Sequence, residues 1–149
     1  MLALSAALLL AAAPAAAGPL PPAEALYAEL DALLGLAPAR AVTEPLAALR
    51  AIRLALRRYY ADTGGRYPAS PEALIPGYLP ALPAPELPGH PGTAAVKLPE
   101  GREHDGDISG AVTDAGGWLY FAGAGSAQRG LLALNCSHLS PEGQEYFKY

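Results

Sequence analysis

The densest run of ligand-type oxygens in this chain is "DGDISGAVTD", Asp105 to Asp114. Asp105, Asp107 and Ser109 alternate side-chain oxygens, and Gly110 stands where a calcium loop turns sharply. Gly116 occupies the twelfth position in place of the bidentate glutamate, so the stretch is not an EF-hand. Two readings follow. Asp105, Asp107 and Asp114 could be the carboxylates of a loop calcium site, or the aspartates could turn onto their own backbone in a solvated loop. The missing bidentate ligand favours the solvated loop.

Other chemistry-bearing residues are sparser. His90, His104 and His138 are read as isolated loop histidines, because none has a partner at the short spacings that preorganise zinc. "GAGSAQ", Gly123 to Gln128, lacks the third glycine and the following helix of a dinucleotide loop. Ser126 also lacks the flanking glycines of a nucleophile elbow. The single Cys136 has no internal disulfide partner and reads as a small buried hydrophobe. Asn135-Cys136-Ser137 is formally a glycosylation sequon. Glu142 and Glu145 lie on a short tail with nothing apolar around them, which gives no acid–base pair. No catalytic residue is expected, and calcium is the only cofactor with a reading.

The elements that would position these residues follow from spacing. Leu49, Ile52, Leu56 and Tyr59 form one apolar stripe, with Arg50, Arg53 and Arg57 on another face. Thr43 is the predicted N-cap and Pro45 suits the first turn, so a long amphipathic helix is expected to run to Ala61. Asp62, Thr63, Gly64 and Gly65 stop it, with a glycine in the left-handed conformation. A short helix from about Pro71 to Ile75 follows Ser70. The prolines of "PGYLPALPAPELPGHPG" then exclude a helix or central strand, while Tyr78, Leu79, Leu82 and Leu87 dip into a core. Strands are expected over about 93–98, 117–121 and 130–135, the last two as an antiparallel hairpin. Tyr146, Phe147 and Tyr149 are expected to pack back on the domain.

Helices first and strands after predict an α+β domain: a long N-terminal amphipathic helix on a small three- or four-stranded antiparallel sheet. A length of 149 residues suits one such domain, and a net charge of −4 gives no footprint for nucleic acid. Residues 1–17, "MLALSAALLLAAAPAAA", read as a secretory signal: an apolar run, then small residues before Gly18. The expected organisation is therefore signal (1–17), short helix and linker (18–42), and α+β domain (43–149). The chain is expected to be exported, periplasmic or extracellular, without a stable membrane span once cleaved. The alternative is an anchor through residues 2–17.

The stretch "ALRRYYADTGGRYP", then "SPEALIPGYLPALP" and "GGWLYF", resembles the globular part of bacterial type II secretion pseudopilins and type IV pilin-like proteins. The prepilin leader, with its glycine cleavage site and membrane helix, is absent from that resemblance. It implies a non-enzymatic structural or interaction module whose partners are proteins: other pilin-like subunits or secretion machinery. Some members bind calcium near the C-terminal strands, which implies the alternative of a calcium- or small-ligand-binding module using the Asp105–Asp114 loop.

Overall fold

The computed structural model describes residues 43–149. The signal expected at 1–17 and the short helix and linker expected at 18–42 lie outside the described residues. No helix among the described residues is long and apolar enough to cross a membrane.

Helix α1 spans Pro45–Asp62. Its N-cap is Glu44, one residue later than the sequence expectation: the carboxylate accepts from the backbone N–H of Leu46 at 3.0 Å and of Ala47 at 2.5 Å. Glutamate wins over Thr43 because its longer side chain satisfies two of the orphaned N–H groups at once. Ala48, Leu49, Ile52, Ala55 and Leu56 are buried on one face. At the far end Thr63 and Gly65 donate backbone bonds to the Tyr59 and Tyr60 carbonyls. Gly64 and Gly65 both take positive φ, 68° and 84°, and the chain reverses there.

The expected long N-terminal helix on an antiparallel sheet is not what the chain builds. The described residues hold one helix beginning at Pro45, and a mixed three-stranded sheet in the order β1-β2-β3. Strand β1 (Val96–Lys97) pairs parallel with β2 (Trp118–Tyr120), in the register Val96 with Trp118. Strand β3 (Leu132–Leu134) pairs antiparallel with β2, Trp118 facing Leu134. The cause lies in residues 98–117. Parallel neighbours need a crossover of a dozen or more residues, and this polar segment supplies one, returning Trp118 N–H to the Ala95 carbonyl at 2.9 Å.

The sheet is covered on both faces. Trp118, Tyr120, Leu132 and Leu134 share a core with α1, with Leu74 of the turn after Ser70, with Leu79 and Leu87 of the proline-rich segment, and with Tyr146 of the tail. Leu119, Phe121 and Ala133 alternate to the other face and pack on Ala111 of the crossover. Every residue of β2 and β3 is therefore buried, and a three-residue strand can hold because its side chains are enclosed on both sides. The short helix after Ser70 is a 3-10 turn over Pro71–Leu74.

Two tyrosines end α1. Tyr59 is half-buried against Tyr78, while Tyr60 is 40% exposed against Tyr67. The hydroxyl that is buried and bonded in this region belongs to Tyr120, which donates to the Pro68 carbonyl at 2.8 Å.

Ile52→Asp places an unpaired charge in the main core and is expected to abolish cooperative unfolding in a thermal melt. Gly64 and Gly130 separate two costs of a side chain at positive φ. A Cβ at Gly64 meets nothing within 4 Å, whereas at Gly130, where φ is 86°, it would lie 2.5 Å from the Tyr67 ring. Gly64→Ala is expected to cost about 1–2 kcal/mol of conformational strain. Gly130→Ala adds a steric clash, and urea midpoints of the two variants should fall in that order.

Candidate functional site

The three aspartates singled out from the sequence hold three separate junctions. Asp105 Oδ1 accepts from the Ser126 hydroxyl and from Ala127 N–H, and Oδ2 from Arg102 Nε, so it fastens the crossover to the β2–β3 turn. These bonds, Ser126 first and Arg102 next, hold its carboxyl below the ordinary 3.8. Asp107 caps the 3-10 turn Ile108–Ala111, accepting from the Ser109 N–H and hydroxyl, which depress its pKa. Asp114 accepts from Ser137 N–H at 2.6 Å and the Ser137 hydroxyl at 2.8 Å, with the same effect.

Of the three, only Asp114 joins a group of ligand-type side chains. His90, Asp114, Cys136 and His138 bring their ligand atoms within 4.8 Å of one another. The expectation that each histidine stands alone is thus corrected for two of them. His90 Nε2 lies 3.2 Å from His138 Nδ1, and Cys136 Sγ lies 3.4 Å from that same nitrogen. His104 is elsewhere, edge-on to Phe121. Sequence spacing could not reveal the pair, since residues 90 and 138 meet only through the tertiary fold. Cys136-Ser137-His138 carried the one local signal, two soft ligands two residues apart.

Local backbone chemistry makes the convergence possible. Residues two apart on extended backbone share a face, which puts Cys136 and His138 on one side of the segment where β3 ends at Leu134 and the chain bends at Asn135 and His138. Buried Asn135 accepts from both the N–H and the hydroxyl of Thr113, which registers the crossover against this bend. Its amide also donates to the Thr113 hydroxyl, so the sequon asparagine is fully engaged inside the fold. Next to Thr113, Asp114 adopts φ 53°, a left-handed conformation that short polar residues tolerate best. Gly116 completes the approach: a Cβ there would stand 3.2 Å from His90 Cβ.

The Cys136–His138 contact has the residue types of a nucleophile and base, but the wrong setting. The thiol is fully buried, and burial, followed by the charge of Asp114, pushes its pKa up against the lowering effect of the His138 backbone N–H. A reactive cysteine needs a depressed pKa and access. Ser126, the other nucleophile type considered, is committed to Asp105. Glu142 accepts from the Tyr149 hydroxyl at 3.1 Å, and Glu145 pairs with Lys148.

Because the folded pKa of Asp105 is depressed, its ionised form stabilises the fold at neutral pH. That contribution disappears as pH falls from 3.8 through the folded value. Asp105→Asn is expected to lower the urea midpoint at neutral pH, and the gap from wild type should close below 3.8.

Comparison of the chain with protein-family models, with curated proteins and with solved structures finds no match.

Proposed function

We propose that this chain is an exported, non-enzymatic interaction module, of the kind its helix-end motif resembles in pseudopilins and pilin-like proteins, and that it binds an acidic protein surface through the outer face of α1. The observation that carries the reading is the composition of that face. Arg50 and Arg57 are exposed seven residues apart, and Tyr60 follows Arg57 by three, so all three share one stripe. Beyond the glycine reversal Arg66 is exposed and Tyr67 lies against Tyr60 at 4.6 Å. Exposed arginine beside partly exposed tyrosine is the composition enriched at protein interfaces. The chain as a whole carries −4, so a local basic stripe is an orienting feature for an acidic partner. Calcium binding by the Asp105–Asp114 loop has no comparable support, because its three carboxylates are occupied at different junctions.

A photo-crosslinking residue in place of exposed Ala61, in the native cell, tests this. The expected result is a discrete protein adduct in the exported fraction, on a chain whose mature N-terminus is Gly18. Arg50→Glu with Arg57→Glu should abolish the adduct without moving the thermal midpoint. An adduct indifferent to charge reversal would overturn the surface, and an intact Met1 confined to membranes would overturn export.

A further inference from the structure

Three segments distant in sequence meet at His138. His90 comes from the turn closing the proline-rich segment, where its N–H donates to the Leu87 carbonyl. Asp114 comes from the end of the crossover, while Cys136 and His138 lie just beyond β3. We propose that His90 Nε2, Cys136 Sγ, His138 Nδ1 and a carboxylate oxygen of Asp114 form a tetrahedral site for a transition-metal dication of the zinc class.

Hydrogen bonding alone accounts poorly for the contacts. An imidazole nitrogen offers either one N–H or one in-plane lone pair. His138 Nδ1 nevertheless has both His90 Nε2 at 3.2 Å and Cys136 Sγ at 3.4 Å. As hydrogen bonds these compete for one position. As edges of a coordination tetrahedron they are compatible. Zinc–nitrogen and zinc–sulfur bonds of the usual lengths put two nitrogens about 3.3 Å apart and a nitrogen and sulfur about 3.6 Å apart.

The donor set selects the class of metal. Two imidazoles, one thiolate and one carboxylate suit zinc and its neighbours, whereas calcium takes six to eight oxygens and only Asp114 offers any here. A thiolate and a carboxylate together neutralise a dication, so burying the sulfur side leaves no net charge inside. The surroundings also suit ligation. Ser137 fixes the Asp114 carboxylate through two hydrogen bonds, one from its backbone N–H and one from its hydroxyl. Such outer partners orient ligands and raise affinity. Cys136 is enclosed while Asp114 and His138 are exposed, which gives an ion an entry path from the rim. Bound metal would tie the proline-rich segment and the crossover to the C-terminal tail.

The test uses the full chain, stripped by chelator and titrated with cobalt(II), then zinc(II). One equivalent of cobalt should produce thiolate-to-metal absorption and the intense visible bands of four-coordinate cobalt. Zinc should displace it and raise the thermal midpoint with concentration. His90→Ala and His138→Ala should each eliminate the visible bands. Ser137→Ala should weaken binding by about 10- to 100-fold. Cys136→Ser should remove the thiolate absorption. Should that core variant fail to fold, His138→Ala at its exposed position decides the question. A six-coordinate cobalt spectrum, binding that survives both histidine variants, or a midpoint that responds only to calcium would each overturn the proposal.

Discussion

Two hydrogen bonds from the central strand to proline carbonyls hold this domain around its core. Trp118 Nε1 donates to Pro83 at 3.0 Å and Tyr120 Oη to Pro68 at 2.8 Å, both buried. Proline has no N–H to bring to a sheet, but its carbonyl remains a full acceptor. The donors sit on the same face of β2, two residues apart. Through them a segment unable to join a ladder is still fixed across the core, and Leu74, Leu79 and Leu87 are delivered beneath α1. Removing either donor would leave a buried carbonyl unsatisfied, at a cost of about 1–3 kcal/mol.

Much of this scaffold was legible in the sequence, because it depends on local periodicity. The stripe of Leu49, Ile52 and Leu56 marks the buried side of α1, and the glycine pair marks its end. The β2–β3 hairpin follows from its turn residues, and Tyr146 and Phe147 do pack back on the domain. Strand direction was not legible in the same way. Val96 and Lys97 look alike in either orientation, and only the length of the segment between them and Trp118 carried information. That polar stretch reads as solvated loop in composition, yet Ala111 within it covers the second face of the sheet. Arg53 misled for a related reason: helical spacing places it among solvated arginines, while its reach brings it to the tail.

The candidate site was legible only in fragments. Asp114 stood out for its carboxylate and Cys136 for its solitude, but the property that matters is convergence, which no spacing encodes. Sequence favours recognising metal sites whose ligands lie on one helix or in one loop. Here His90 is brought in by a turn in the proline-rich segment, and the cluster closes because Gly116 has no side chain. The arginine stripe of α1 belongs to another part of the surface chemistry, built by the helix alone and readable from it.

Arg53 has a consequence for how copies of this chain can meet. Its Nε and second terminal amino group donate to the Leu132 carbonyl at 3.2 and 2.8 Å, and its first to the Tyr149 carbonyl at 2.7 Å. Alternation along the ladder turns Leu132 O away from β2, onto the outer edge of β3. Further along that edge Cys136 O and His138 O accept from Phe147 and Tyr146 N–H groups. An open edge invites strand addition by a second chain. This one is closed at these carbonyls by a guanidinium and by the tail, so the β3 side of the sheet resists runaway stacking into fibres.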